Sequence, residues 1–327
     1  MYTSLENLAW SQTMMALIAR SSPSTINRCI STLGIKNINP ETTKIKKYDL
    51  KSARRIISRV KRITIPTHKM HVFYNLKGGT GKTTMTYQLA THLSIIGYKV
   101  LTIDCDSQSH LSVLFLFPED GVFFTLFDVL INSVPAYKTI FNISEGLDII
   151  PSNLSLSRVE VPLSQKSQRE NRLLYQIDHI KDYYDYIFFD TNPSINSLNQ
   201  NVLVCADIIN LVCETSPLSL YGMKLLIAEM SNFFQEINRY MNYRIICNKY
   251  ESTVDISNEV LDYIRINYPY NFYKSVVRKS DEINLATKRK QPISAFCKVN
   301  SLAFRDILDL LHEFIKITNN ITNLRGK

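Results

Sequence analysis

Glycine and proline are scarce in this 327-residue chain, nine and eleven respectively, and no segment is of low complexity or repeats itself. Solenoid, collagen-like and linker-type architectures are thereby excluded. The six cysteines (Cys29, Cys105, Cys205, Cys213, Cys247, Cys297) form no C-x-x-C pair and no zinc spacing, so neither a metal knuckle nor a disulfide framework is expected. Several lie in apolar runs, where cysteine behaves as a small hydrophobe, and a reducing, cytoplasmic setting follows. No uninterrupted apolar run approaches the ~18 residues of a membrane span. Glu6, with no basic residue before an apolar run, is unlike a signal peptide.

What is present is a folded composition, 45% hydrophobic and 20% charged, long enough for a core of about 200–250 residues plus a smaller module. The net charge of +9 is unevenly placed. Residues 1–65 hold twelve Lys/Arg against three acids, which accounts for the whole excess. A basic module of that kind is either a solvated tail or a surface that meets polyanion by counterion release.

Residues 1–65 read as helical. "SLENLAWSQTMMALIAR" opens on a capping-type Ser4, "STINRCISTLG" runs from Ser24 to a stop at Gly34, and "YDLKSARRIISRVKR" repeats its apolar residues at helical spacing. "ITIPTH" reads as a linker, giving domains at 1–65 and 66–327. From Met70 short apolar runs ("HVFYN", "KVLTID", "LDIIP", "DYIFFD", "DIINLVC", "YRIICN", "FYKSVV") alternate with helical lengths at 82–96, 169–182, 219–237 and 254–266. A last helix spans about 299–317. The alternation predicts an α/β fold, a doubly wound and mostly parallel sheet with helices on both faces.

The chemistry concentrates in "NLKGGTGKTT", Asn75 to Thr84. Strand, glycine loop and helix follow one another, so the backbone N–H groups from Gly78 to Thr83 can surround phosphate oxygens at a helix N-terminus. Gly78, Gly79 and Gly81 permit the close approach, Thr80 and Thr84 complete the loop, Lys82 would meet the β- and γ-phosphates, and the Thr83 hydroxyl would ligate Mg²⁺. The opening glycine of the general motif is absent, because Leu76 stands there, and a second lysine, Lys77, follows it. Carboxylates belong at the ends of neighbouring strands. "YDYIFFD" offers Asp190 there as a Mg²⁺ ligand, and "VLTIDCD" offers Asp104 and Asp106, two apart and so facing the same side.

"KGGTGKTT", "VLTIDCDSQSHLS", "LDIIPSNLSLS" and "YDYIFFDTNPSI" together closely resemble the deviant Walker A ATPases of the ParA/MinD group, and within it the ParA-type DNA-partition ATPases. The resemblance runs from about Met70 to the last helix. It implies an ATP- and Mg²⁺-dependent homodimer in which two subunits sandwich nucleotide and the signature lysine, here Lys77, reaches the partner's phosphates. By the same match Asp106 would orient the attacking water, Asp104 would support Mg²⁺, Asn248 in "CNKYEST" would contact the base, and Glu214 would lie near the dimer face. Two loops depart from the family pattern, Thr191-Asn192-Pro193 after the Walker B Asp and Ser107-Gln108 after Asp106.

"MALIARSSPSTINRCISTLGI" resembles a helix-turn-helix of the winged type. Ser24, Thr25, Asn27 and Arg28 would face bases or phosphates, and "KIKKYDLKSARRI" resembles the wing and the helix after it. A plain helical dimerisation extension is the alternative. The family also implies ATP-dependent, nonspecific DNA binding through C-terminal basic residues, Arg278 and Lys279 among them, a ParB-like centromere-binding partner, and a nucleoid-associated location. Two other functions stay open. A MinD-like membrane-positioning ATPase would need a basic amphipathic C-terminal helix, whereas this one carries Asp306, Asp309 and Glu313. A nucleotide-regulated repressor would show little turnover. An iron–sulfur reductase is excluded, since no Cys follows Asp190 at a suitable distance.

Overall fold

The structure is a computed structural model that describes residues 4–39, 45–64, 66, 69–118 and 121–320. The basic N-terminal segment opens with strand β1 (Ala9–Ser11), helices α1 (Gln12–Ala19) and α2 (Pro23–Leu33), strand β2 (Lys47–Asp49) and helix α3 (Leu50–Lys61). Side chains cap each helix start, Ser11 on Met14 N, Ser22 on Thr25 N and Asp49 on Ser52 N, which satisfies N–H groups that have no partner inside a helix. Two expectations change here. The first helix begins at Gln12 rather than Ser4, because Ala9–Ser11 pairs antiparallel with Lys47–Asp49. That same pairing draws in Lys47–Asp49 of the stretch expected to form a wing. Residues 40–44 and part of the 63–68 linker lie outside the described residues.

The remainder is the α/β unit. Its elements in chain order are β3 (Met70–Tyr74), α4 (Lys82–Ile96), β4 (Val100–Cys105), α5 (His110–Leu114), α6 (Leu126–Leu130), β5 (Phe141–Ser144) and β6 (Leu147–Ile150). There follow α7 (Glu160–Ser164), α8 (Arg172–Asp178), β7 (Tyr186–Thr191), α9 (Ser197–Cys205), β8 (Ile208–Glu214) and α10 (Pro217–Glu236). The chain closes with β9 (Tyr243–Asn248), α11 (Asp255–Asn267), α12 (Asp281–Arg289) and α13 (Leu302–Asn320). One seven-stranded sheet has the order β5-β6-β4-β7-β3-β8-β9, with every pair parallel except β5–β6. The antiparallel edge strand Phe141–Ser144 is an addition to the expected set. "FYKSVV" is a correction: it forms no regular strand, and runs beside β9 through an isolated bridge from Phe272 to Ile245 and backbone hydrogen bonds from Tyr273 N to Ile245 O and Val277 N to Cys247 O, both 2.9 Å.

Helix α4 explains how the two parts meet. Thirteen of its fifteen residues are buried, since the sheet covers one side while α3 and α13 cover the other. A helix apolar or internally bonded all round is a buried helix; here Thr86, Thr91 and Ser94 return their hydroxyls to backbone carbonyls of the same helix. The apolar residues of the N-terminal helices form one continuous cluster with those of α4 and α13. Gly97, just past α4, has φ +127°, and a Cβ there would lie 2.6 Å from Ser58 Cβ of α3. Arg54 of α3 seals the same end: its guanidinium donates to the carbonyls of Ser94, Gly97 (2.7 Å) and Tyr98 (2.8 Å). Further ties are Trp10 Nε1 to Ser294 Oγ at 3.1 Å and Arg20 to Asp309 at 2.8 Å. Among the described residues no helix is long and apolar enough to cross a membrane, and the apolar stripe of α13 is docked in the core.

Candidate functional site

Strand β3 is central, between β7 and β8, so the loop that leaves its C-terminal end is flanked by the tips of both. Asn75, fully buried, anchors the loop's entry: its Nδ2 donates to Val212 O (2.7 Å) and its Oδ1 accepts from Lys77 N (3.0 Å). Gly79 (φ +75°) and Gly81 (φ +99°) turn the backbone into α4. At Gly81 a side chain is excluded twice over, by φ and because a Cβ would sit 2.3 Å from Asn248 Nδ2. Gly78 and Gly79 are exposed at the loop mouth, Thr80 is buried, and Thr83 and Thr84 lie half-buried in the first turn of α4. The N-terminal turn of a fifteen-residue helix with open N–H groups is an anion site.

Lys82 is buried at the start of α4, its Nζ 3.4 Å from Lys77 O. Burial lowers its pKa from the ordinary lysine value, while Asp190 and Asp106 oppose the shift. Asp104 and Asp190 are register partners on β4 and β7, and both are fully buried. Burial, and then the negative Asp104, push Asp190 up to about 8 against the Thr83 hydroxyl and Lys82. Asp190 Oδ1 accepts from Thr86 Oγ1 at 3.3 Å, whereas its Oδ2 is buried with no hydrogen-bond partner among the described residues. A buried, unpartnered carboxylate oxygen facing a hydroxyl is what a cation or its water ligand would complete. The donor set therefore fits Mg²⁺ held by Thr83 and Asp190, the ion supplying neutralisation of phosphate charge. Among the described residues no group of three His, Cys, Asp or Glu could hold a metal alone, in keeping with an ion that relies on phosphate and water for most of its ligands.

Asp104 is engaged at both carboxylate oxygens. Its Oδ1 accepts from Asp106 N (3.1 Å) and its Oδ2 from Ser112 N (2.9 Å) and Ser112 Oγ (2.7 Å). Burial pushes it up to about 6 in spite of these bonds. Asp104 thus holds the loop that carries Asp106 and stands behind the metal site. Asp106, half-buried, fixes the turn after it by accepting from Gln108 N at 2.9 Å.

On the other flank, Glu214 and Asn248 are register partners at the tips of β8 and β9. Asn248 Nδ2 donates to Thr80 O at 2.7 Å, which ties β9 to the phosphate loop. Lys249, missed in the sequence, donates to Gly79 O (2.7 Å) and to Glu214 Oε1 (2.6 Å). Lys77 is paired with Glu214 Oε2. Sequence signals for Lys249 were its place directly after Asn248 at a strand tip and a strand end facing the loop. Asn199 was also missed; its Nδ2 donates to Asn192 Oδ1 (2.8 Å) and fixes the turn after Asp190.

The expected DNA-contacting residues separate into two cases. Ser24, Thr25, Asn27 and Arg28 are all exposed along one face of α2 while Ile26 and Ile30 are buried. Arg278 is paired: its Nε and backbone N both donate to buried Asp306, at 2.8 and 3.0 Å. Lys279 is exposed and paired with Glu251 at 3.1 Å. Arg278 thus also clamps the segment after β9 to α13.

A glycine cradle between a parallel strand and a helix, a buried lysine, and acids on the adjacent strand tips define a P-loop nucleotide-hydrolysing enzyme. Residues 68–243 match the family described as an AAA domain. Cell division protein PomZ of Myxococcus xanthus is 31% identical over 228 residues, 69% of this chain and 72% of its own. Chromosome partitioning protein ParA of Caulobacter vibrioides is 28% identical over 223 residues, covering 67% and 84%. Among solved structures, a Borrelia burgdorferi protein described as a plasmid partition protein and bound to AMPPNP superposes with a TM-score of 0.64 at 24% identity, over 77% of this chain and 100% of that one. The chain belongs to the ParA/MinD-type P-loop ATPases, and it is an ATPase.

Proposed function

We propose that the chain is a DNA-partition ATPase that uses ATP and Mg²⁺ to pair two copies of itself, binds DNA nonspecifically in that state, and is released by slow hydrolysis that a ParB-like partner accelerates. The observation that carries this reading is Lys77. It stands at the loop mouth with its side chain 38% exposed and paired with the Glu214 carboxylate. A lysine delivered to a second subunit's phosphates would act as an arginine finger does, stabilising charge on the transferring phosphoryl group. Asp106 would orient the attacking water, and Thr83 with Asp190 would hold Mg²⁺. The ParA, PomZ and plasmid-partition relatives support the cellular role.

For DNA, the exposed face of α2 supports specific operator contact. Nonspecific contact is supported by the basic residues of a groove of about 1330 Å³ beside β9, Arg244, Lys274, Arg278 and Lys316, which stand there with Asp306, Asp309 and Glu313. Residues of this kind would make binding strongly salt-dependent. The deciding experiment measures ATP turnover alone, with DNA, and with DNA plus the centromere-binding protein. Stimulation by the pair is expected; turnover indifferent to both would leave a nucleotide-regulated repressor, the reading that the rigid docking of α3 on α4 favours.

A further inference from the structure

Two lysines reach the phosphate loop from different strands and end on one carboxylate. Lys77, from the head of the loop, is paired with Glu214 Oε2; Lys249, from the tip of β9, lies 2.6 Å from Glu214 Oε1 and 2.7 Å from Gly79 O. Glu214 closes β8, and its side chain is 14% exposed against 38% and 42% for the two lysines. The carboxylate is thus the fixed member and the ammonium groups are the movable ones. Burial alone would raise the Glu214 carboxyl, but hydrogen bonds from Lys249 and Lys77 bring it below its usual range.

We propose that Glu214 is a positioning residue that stores Lys77 within its own subunit, and that Lys249 makes the store releasable, so that the pair sets how readily ATP brings two chains together. The proposal depends on Lys77 acting across the dimer. To do so Lys77 must exchange a carboxylate for a phosphate. If Glu214 had Lys77 as its sole partner, that exchange would leave a largely buried carboxylate unpaired, which is strongly unfavourable. With Lys249 on the other oxygen, Glu214 stays neutralised after Lys77 departs. A three-member cluster of net charge +1 therefore suits a lysine that has to leave, where a simple ion pair would not.

The two flanking substitutions must act in opposite directions. Glu214→Gln removes the competitor for Lys77, so the protein concentration at half-dimerisation with a non-hydrolysable ATP analogue and Mg²⁺ falls about tenfold by sedimentation. Lys249→Gln leaves Glu214 dependent on Lys77, so that concentration rises about tenfold. Glu214→Gln changes ADP affinity of the monomer by no more than about threefold, since the loop's N–H groups remain. Glu214→Asp, one methylene shorter, is expected to act like Glu214→Gln and covers the case in which the amide variant folds poorly. Shifts of the same sign in the glutamine variants, no shift in Glu214→Gln or Glu214→Asp, or an equal change in ADP affinity overturns the proposal. Lys77→Gln that keeps full turnover instead overturns the trans-lysine reading itself.

Discussion

Arg54→Ala is the perturbation that tests most directly whether the basic N-terminal helices are part of the ATPase fold. Arg54 is 11% exposed and donates to three carbonyls at the C-terminal end of α4, those of Ser94, Gly97 and Tyr98. Hydrogen bonds from a charged donor contribute about 1.5–3 kcal/mol each, and a cation at a helix C-terminus adds about 0.5 kcal/mol. Water can replace part of this at half-exposed Gly97, so a net loss of about 3 kcal/mol is expected. A cooperative unit of 327 residues has an unfolding entropy near 0.7 kcal/mol/K at ~2.1 cal/mol/K per residue, which converts the loss to about 4–5 °C in Tm. Trp10 is the chain's one tryptophan, buried and bonded to Ser294 of the ATPase portion, so its fluorescence reports docking of the N-terminal helices. Far-UV circular dichroism reports the whole fold. Both transitions should coincide in the parent protein and move together in Arg54→Ala, with Arg54→Lys intermediate because an ammonium cannot fork across three carbonyls. A fluorescence transition that precedes the dichroism transition, or a shift below about 1 °C, refutes the shared-core reasoning.

Lys82→Ala should weaken ATP binding by about 100-fold or more, about 2.7 kcal/mol, in a fluorescent-nucleotide titration; retained tight binding removes Lys82 from the phosphate site. Lys77→Gln should keep nucleotide binding and lower turnover by about 10³-fold, and unchanged turnover argues against a trans lysine. Arg28→Ala on the exposed face of α2 should lower operator affinity about tenfold in a gel shift with ATP turnover intact; equal affinity relocates the DNA contact. His92 and His312 are buried neutral, burial lowering them to about 4 and about 3. Their unfolded pKa is near 6.5, so stability is full above that value and falls as pH drops below it, by up to about 1.4 kcal/mol per pH unit for each. Asp104 and Asp190, raised to about 6 and about 8, act in the opposite sense as they protonate in the folded state, so the test is a difference: urea midpoints of the parent should lose ground below about pH 6.5 relative to those of His312→Gln, and parallel profiles contradict the neutral burial of His312.

The phosphate loop and its acids were legible because their chemistry demands particular residues at fixed spacing. "HVFYN", the three glycines, Lys82 and Asp190 fall at a strand, a turn, a helix start and a strand tip, and the fold puts them together through a sheet order that alternation alone predicts only in kind. The segment 272–277 has the β-branched and aromatic residues of a strand yet pairs with β9 only at Phe272, Tyr273 and Val277, while Tyr273 is buried with its hydroxyl 2.8 Å from Asn210 Oδ1. Tertiary packing overrode propensity there. Arg278 illustrates the same limit for charge: a basic residue in a basic segment looks free until its carboxylate, Asp306, is found 28 residues later in the chain.

Helix α4 held a signal of a different kind. Its sequence, "KTTMTYQLATHLSII", has no polar face, only threonines, Gln88, His92 and Ser94 among apolar residues. In a doubly wound sheet the outer side of such a helix would meet water, so the missing charge pointed to a cover the sheet does not provide. That cover is α3 with α13. The consequence reaches the active site: α4 starts at Lys82 and ends under Arg54, so the basic module and the phosphate cradle grip opposite ends of one buried rod. A nucleotide that shifts the first turn of α4 must strain the Arg54 cap or carry α3 and its neighbour α2 along with it.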